Sequence, residues 1–306
     1  MRTVLAVVGL SLVASLGAGT ATGGVVANVA PTVVVSAIDR GAWAREIGAA
    51  RSRSPSTFER VAAVRARLPE LDATRRGRLA PVPQHLEHLG SDAVLALVER
   101  VLDGESDGAL TATARTAWRA GVVEALGHLR DPRTREVVAP LLDDPDPVVA
   151  AAAAQAIARL ADDTSVALLA ARIAKGELPV VSGAGVARRR PIASALAALL
   201  ASRPSTEVAR AAVRSLADNG AAWAFRTGKV ALPGEESDVR SISARALVAT
   251  FVGYDGEVRQ AASNALMVVD DPSTPALIAA AKSSASSDTI AALDQLAARF
   301  ARNPAR

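Results

Sequence analysis

Cysteine is absent from the 306 residues, so the chain can form no disulfide bond, no thiolate metal site and no N-terminal lipoprotein anchor. Aromatic residues make up only 3% of the sequence. Aromatic rings are the usual platforms for sugars and unstacked bases, so their scarcity argues against both kinds of ligand. Half of the residues are apolar, and Ala, Val and Leu supply the predicted core. This composition suits closely packed helices better than a β-sandwich.

Charge is missing from residues 3–38. Arg2 stands before an apolar run from Val4 to Leu16, and small residues follow, which is typical of a secretory signal peptide. We predict a signal peptide over residues 1–24 with cleavage near Ala21, and a periplasmic or secreted location. The alternative is an inner-membrane anchor through residues 3–38. Against it, the apolar core of about 13 residues is short for a span, which needs roughly 20.

Positive charge is concentrated directly after this segment. Residues 25–39, uncharged as far as Ile38, are predicted to be a linker, and residues 40–83 a basic helical segment. Ten arginines and four acids lie between residues 40 and 78, which gives this stretch a net charge of +6 against +4 for the whole chain. Such a patch could contact an acidic protein, phospholipid headgroups or nucleic acid, or it could be the solvated face of a capping helix.

Residues 131–163 contain one complete structural unit. The stretch from Arg133 to Leu142 has apolar residues at helical spacing, which predicts a first helix. The turn that follows is acidic and contains prolines, which cannot continue a helix because they lack an N–H donor. Asp146 before Pro147 then predicts a second helix, with an aspartate N-cap and proline at the first helical position.

Parts of this unit recur along the chain. The first-helix segment 130–142 is similar to segments 162–173 and 270–281. The second-helix pattern is a valine followed at helical spacing by small and aliphatic residues. It recurs after Val149, Val208, Val239 and Val258. Such units cannot bury their apolar faces alone and must stack on neighbours. The valines are 59, 31 and 19 residues apart, so we predict irregular or inserted elements between about residues 175 and 235.

The segments DPDPVVAAAAAQAIARLADD and DGEVRQAASNALMVVDDPSTPALI resemble those of bacterial HEAT-repeat proteins. The resemblance extends over roughly residues 90–302. It implies an all-α fold, a right-handed α-solenoid of degenerate HEAT-like hairpins of the armadillo-like type, which we place at residues 84–302. HEAT motifs specify an architecture and carry no catalytic residues that could be transferred to this chain.

Arginines are the candidate partner contacts, because arginine is a frequent anchor of protein interfaces. Three of them follow a Gly-rich stretch, SGAGVARRR, which lacks the phosphate-binding pattern GxxxxGK[ST] and the strand that precedes it. We therefore expect this stretch to be an exposed loop. The candidate contacts are Arg51, Arg53, Arg75, Arg76, Arg78, Arg188, Arg189 and Arg190.

No combination of residues indicates catalysis, a cofactor or a metal site. The sequence contains no GxSxG or SxxK nucleophile motif, and serine and histidine never come together in a recognisable pattern. His85 and His88 have the spacing of two ligands on one helix face, but no third ligand stands nearby. Capping at predicted turns explains the acidic pairs. These pairs are Asp143/Asp144, Asp162/Asp163 and Asp270/Asp271.

The function favoured by these features is a non-enzymatic scaffold for protein–protein interaction in the bacterial cell envelope or the secreted fraction. Its partners would bind along the helical-repeat surface, and the basic N-terminal segment could add a peripheral membrane contact. The alternative is a basic HEAT array that binds nucleic acid, if the N-terminus is not an export signal. A third class, an accessory subunit of an enzyme such as a lyase, rests on the fold alone.

Overall fold

A computed structural model describes residues 38–104, 110–228 and 230–303. The regular elements of these residues are helices, with no strand among them, so the predicted all-α class is confirmed for this part of the chain. The predicted signal peptide, the alternative anchor and most of the linker at 25–39 lie outside the described residues.

Four helices come first along the described chain. They are α1 (Arg40–Arg53), α2 (Pro55–Ala66), α3 (Leu68–Ala73) and α4 (Val82–Glu87). The side chain of Asp39 caps α1 by accepting a hydrogen bond from the backbone N–H of Ala42 at 2.9 Å.

Six helical hairpins then follow in the described residues, and their helices form two layers. The first helices of the hairpins are α5 (Val94–Asp103), α7 (Arg135–Val138), α9 (Asp163–Ile173), α11 (Arg190–Ala201), α14 (Glu236–Gly253) and α16 (Thr274–Lys282). The second helices are α6 (Ala112–Leu129), α8 (Pro147–Leu160), α10 (Leu178–Gly183), α12 (Thr206–Asn219), α15 (Gly256–Val269) and α17 (Ser287–Ala301). One short helix, α13 (Ala222–Arg226), stands outside this alternation.

The two layers are defined by which helices touch. Within the hairpins, α5 packs on α6, α11 on α12, α14 on α15 and α16 on α17. Along the first layer, α9 contacts α11, α11 contacts α14 and α14 contacts α16. Along the second layer, contacts run from α4 through α6, α8, α10, α12 and α15 to α17. Each hairpin therefore buries its apolar face against its own partner helix and against the next hairpin.

The basic N-terminal segment is part of this stack. Helix α1 packs on α5, and α4 packs on α6 as a member of the second layer. The boundary that the sequence suggested between residues 83 and 84 falls inside α4. Pro83 lies in the first turn of that helix, where a missing N–H breaks no helical hydrogen bond. Residues 40–83 are therefore helical and pack directly on the first hairpin.

The second helix of the central unit has the predicted start. Asp146 caps α8 by accepting a hydrogen bond from the N–H of Val148 at 2.9 Å, and Pro147 is the first helical residue. Helix α8 ends at Ala161, whose φ of 55° is the left-handed conformation that commonly closes a helix. Asp162 then caps α9, accepting from the N–H of Ser165 at 3.0 Å.

The first helix of the central unit is shorter than predicted. The α-helical part covers only Arg135–Val138, with 3₁₀ turns at Pro132–Thr134 and Ala139–Asp143. Pro140 explains the break, because its ring excludes the backbone hydrogen bond that would continue the α-helix. The apolar face is still buried, since the side chains of Val137, Val138 and Leu142 are inside the core.

One of the four anchor valines lies in the other layer. Val149, Val208 and Val258 are each the third residue of a second-layer helix, but Val239 lies on α14, a first-layer helix. The spacing of 19 residues from Val239 to Val258 is thus the distance between the two helices of one hairpin. Both helices of a hairpin bury small and aliphatic residues, so the pattern alone cannot separate them.

The irregularity predicted between residues 175 and 235 is confined to the second half of that range. Second-layer helices begin at residues 112, 147, 178, 206, 256 and 287, so only the step from 206 to 256 is long. The extra residues include α13 and a 3₁₀ turn at Pro233–Glu235. Residues 178–219 follow the regular alternation, although α10 is short.

Second-layer helices approach one another closely at small residues. A Cβ atom placed on Gly127 of α6 would lie 2.5 Å from the Cα of Ala156 on α8. A Cβ on Gly183 of α10 would lie 2.7 Å from the Cβ of Ala154, on the other side of α8. Neither distance is compatible with ordinary van der Waals contact, so these glycines determine how closely the helices can pack.

We expect Gly127→Ala to lower the free energy of unfolding by about 1–3 kcal/mol, because the new methyl group meets backbone atoms that cannot rotate away. The matched control is Gly48→Ala in the middle of α1, where nothing lies within 4 Å of the new Cβ. That change should stabilise the protein by about 0.5–1 kcal/mol. Urea unfolding followed by far-UV circular dichroism measures both. Equal stabilities of the two variants would contradict the close-packing argument.

Candidate partner-binding surface

The two candidate arginines at the end of α1, Arg51 and Arg53, have different surroundings. Arg51 bonds to both carboxylate oxygens of Glu99 on α5. Its guanidinium also lies 4.3 Å from the ring centroid of Phe58 on α2. Arg51 therefore joins α1, α2 and α5, which is a structural function. Arg53, two residues later, is exposed.

Arg75, Arg76 and Arg78 lie together on the loop between α3 and α4, and all three are exposed. Two open grooves of about 490 and 580 Å³ flank the loop, and Arg75 and Arg76 line both. Arg75 is also 2.5 Å from a carboxylate oxygen of Asp72. Glu124 of α6 lines the larger groove, so this groove continues onto the second layer.

The stretch that contains Arg188, Arg189 and Arg190 is not the exposed loop that the sequence predicted. It consists of the end of α10, a 3₁₀ turn at Ala184–Ala187 and the start of α11. Gly183 is buried against α8, where a Cβ would lie 2.6 Å from the carbonyl oxygen of Ala151. The glycines of this stretch serve close packing, which a Gly-rich sequence does not distinguish from a loop.

Arg189 is only 5% exposed, so the prediction that it contacts a partner is wrong. Its guanidinium donates to Asp163 at 2.9 Å, to Glu235 at 3.1 Å and to the carbonyl oxygen of Ala161. The amide side chain of Asn219 accepts from the backbone N–H of Arg189 at 3.1 Å and donates to its carbonyl oxygen at 3.2 Å. Arg189 thus connects four elements of the stack.

The neighbours of Arg189 have different surroundings. Arg190 is exposed on the first turn of α11, with a guanidinium nitrogen 3.6 Å from a carboxylate oxygen of Asp238. Arg188 is half-buried on the second layer and has a φ of 52°. Of these three consecutive arginines, Arg188 therefore lies on the second layer, Arg189 in a buried network and Arg190 on the first layer.

A row of side chains along the second layer was missed by the sequence analysis. The thirteenth residue of α6, α8, α12 and α15 is Glu124, Arg159, Asp218 and Val268, respectively. Arg188 lies between α8 and α12, at the end of the 3₁₀ turn after α10. We call these five residues the second-layer row. Each hairpin from the first to the fifth contributes one member.

The signal for this row was present in the repeats. Arg159, Asp218 and Val268 each stand ten residues after the anchor valine of their helix. The repeats are recognisable by their buried positions, whereas the members of the row are half-buried or exposed. Val268, with 47% of its surface exposed, is one of the few large apolar residues that the described surface displays.

The charged members of the second-layer row are partly removed from solvent. Burial raises the pKa of Glu124, which the attraction of Arg159 only partly offsets. Asp218 is solvent-accessible, yet the surrounding protein desolvates it enough to raise its pKa, against the attraction of Arg188. Burial likewise lowers the pKa of Arg159 and of Arg188. In the part of the chain that the structure describes, neither Glu124 nor Asp218 forms a hydrogen bond or an ion pair.

His128 and Glu87 flank the start of the row. The Nδ1 atom of His128 contacts a carboxylate oxygen of Glu87 on α4. Burial lowers the pKa of His128, the positive charge of Arg159 acts in the same direction, and Glu87 opposes both. His128 and Glu87 therefore lie close to Glu124 and Arg159, at the start of the second-layer row.

A comparison with protein families identifies the hairpins. Residues 108–187 match the family model for HEAT repeats. These hairpins are HEAT repeats. The match extends from α6 to the 3₁₀ turn at Ala184–Ala187 and lies inside the range suggested by the sequence. With the helical stack, it establishes the predicted solenoid-like fold. No curated protein matches the chain.

The described residues of this HEAT-repeat protein contain no group of three His, Cys, Asp or Glu side chains that could hold a metal ion. His85 lies on α4 and His88 directly follows this helix, where its Nδ1 atom contacts the carbonyl oxygen of Gln84. None of the described helices combines the length and the hydropathy of a membrane span.

Arg189 and Arg190 provide a direct test of their different environments. We expect Arg189→Gln to lower the free energy of unfolding by about 1.5–3 kcal/mol, the range for losing hydrogen bonds to charged groups. Arg190→Gln should cost less than about 1 kcal/mol, because its ion pair is exposed. Chemical denaturation of both variants measures the difference. Similar losses for the two would contradict the structural function of Arg189.

Proposed function

We propose that this HEAT-repeat protein is a non-enzymatic scaffold of the bacterial cell envelope or the secreted fraction, and that a protein partner binds across its second helix layer. HEAT repeats commonly mediate protein–protein interaction, because a stack of hairpins presents one extended surface. The second-layer row is the observation that carries the proposal. Its charges act on one another from Glu124 through Arg159 and Arg188 to Asp218, so four successive hairpins present them close together.

The charges of the row support binding rather than stability. Elsewhere in the described chain, arginine and acidic side chains form ion pairs between hairpins, such as Arg135 with Asp162 at 2.6 Å and Arg172 with Asp143 at 2.7 Å. Glu124 and Asp218 form none, although both have raised pKa values. Partly desolvated charges that form no hydrogen bond or ion pair within the described protein are characteristic of a surface that another molecule completes.

Nucleic-acid binding is supported less well by this surface. A phosphate backbone requires a continuous basic face, because each phosphate is neutralised by arginine or lysine. Glu87, Glu124 and Asp218 interrupt the basic residues of the second layer. The loop with Arg75, Arg76 and Arg78 is basic only locally, and the larger groove beside it includes Glu124.

Site-specific photo-crosslinking in living cells tests the binding surface. We expect a benzoylphenylalanine at Val268, on the second layer, to give a light-dependent adduct with one other protein. The matched control carries the same residue at the exposed Arg245, on the first-layer helix α14, and should give no such adduct. Equal adducts at the two positions, or none at either, would count against the proposal. An adduct with nucleic acid at Val268 would favour the alternative.

The location is tested by cell fractionation with N-terminal sequencing of the mature protein. Export predicts a new N-terminus near Thr22 in the periplasmic or secreted fraction, which directs the partner search to envelope proteins. An intact Met1 in the membrane fraction would replace the cleaved signal by an anchor through residues 3–38. An intact Met1 in the cytosol would refute the location and favour the nucleic-acid alternative.

A further inference from the structure

Three arginines come together on the second layer, and the backbone register shows why. Gly127 of α6 touches Ala156 of α8, so these two residues lie at the same level of neighbouring helices. Arg130 lies three residues after Gly127, and Arg159 lies three residues after Ala156, which is about one helical turn in each case. The two side chains therefore leave adjacent elements side by side.

The same argument places the third arginine on the other side of α8. Gly183 at the end of α10 touches Ala154 of α8. Arg188 lies five residues after Gly183, and Arg159 lies five residues after Ala154. Arg159 is thus flanked by Arg130 on one side and by Arg188 on the other, at the ends of three successive second-layer elements. We call these three residues the arginine cluster.

The electrostatic effects agree with this arrangement. Burial lowers the pKa of Arg159, the attraction of Glu124 and Glu87 opposes this change, and the positive charges of Arg130 and Arg188 add smaller effects in the same direction as burial. Burial also lowers the pKa of Arg188, Asp218 opposes the change, and Arg130 adds to it. Arg159 and Arg188 are therefore partly desolvated, where screening by water is weak, and the exposed Arg130 is close enough to act on both.

The backbone conformation at two of these positions disfavours arginine. Arg130 and Arg188 have φ values of 54° and 52°, in the left-handed region that arginine adopts reluctantly. Glycine or asparagine is the usual residue at such a helix end. A single cation near a helix C-terminus is favourable, but this does not explain three cations that converge. The arrangement is better suited to an anionic group of a ligand.

The neighbouring residues indicate which class of ligand fits. Glu124 lies on α6 and acts on Arg159, and Asp218 lies on α12 and acts on Arg188, so a carboxylate stands on each side of the arginine cluster. A strand of nucleic acid would bring phosphates close to both carboxylates, which repel them. A protein segment can instead carry acidic residues at its centre and basic residues at its ends. The charge order of the row therefore favours a protein segment.

We propose that Arg130, Arg159 and Arg188 form a carboxylate-binding site for an acidic segment of the protein partner, and that Glu124 and Asp218 receive basic residues on either side of it. Guanidinium groups bind carboxylates by two parallel charge-assisted hydrogen bonds, which gives both affinity and orientation. This inference rests on the proposed function and specifies the partner segment for that same surface.

Selection from a displayed library of random peptides on the immobilised full chain tests the site. We expect the enriched peptides to carry glutamate or aspartate at the centre and lysine or arginine towards the ends. Their affinity, measured by fluorescence polarisation, should fall about tenfold or more for each of Arg130→Gln, Arg159→Gln and Arg188→Gln. The control neutralises Arg45, Arg245 and Arg302, which are exposed elsewhere, and should retain the affinity.

A charge exchange separates recognition from loss of folding. Arg159→Glu should lose the selected acidic peptide and gain affinity for the same peptide with its central glutamate replaced by lysine, which a misfolded protein would not do. Enriched peptides that bind wild type and all three glutamine variants equally would overturn the arginine cluster as a site and leave the proposed scaffold function standing. Failure to enrich any peptide would refute both. Displacement of the peptide by a short DNA duplex at physiological salt would overturn the choice of a protein ligand.

Discussion

The structure depends on the close approach of helices in the second layer. Gly127 meets Ala156, and Gly183 meets Ala154, with no room for another methyl group. A HEAT hairpin cannot bury its apolar face alone, so each hairpin is stabilised by these contacts with its neighbour. They also fix the level of each helix against its neighbour. The positions of the side chains on the surface follow from that register, including the arginine cluster.

Arginine side chains donate hydrogen bonds to carbonyl oxygens at the ends of second-layer helices. The last carbonyl groups of a helix have no partner within it. Arg189 bonds to the carbonyl oxygen of Ala161 after α8, and Arg240 bonds to those of Val269 and Asp270 after α15, at 3.1 and 2.6 Å. A guanidinium group can bond to a carbonyl and a carboxylate at once, which an ammonium group does less well. This gives a structural reason for a chain in which only three of the 35 basic residues are lysine.

The same residue type therefore has two functions in this protein. Arg189 is buried and fully bonded within the stack, whereas Arg159 has only a long hydrogen bond of 3.4 Å to Gln155. The first contributes to the free energy of folding. The second retains donors towards the surface, in a position where its charge is partly desolvated. A scaffold that binds by charge needs both kinds of arginine. Like charges that lie close together on its surface require a stable stack of helices beneath them.

The sequence by itself determined the helical hairpins, because local signals specify them. Asp146 before Pro147 starts a helix in any context, and the apolar spacing after Val149 predicts the buried face of α8. Pro140 was equally visible, but its effect on the first helix was underestimated. Only the tertiary structure decided that Val239 belongs to the first layer and that Arg189 is buried beside exposed Arg190. Burial and surface neighbourhood depend on which helices meet, and that is set by close contacts between residues far apart in the chain.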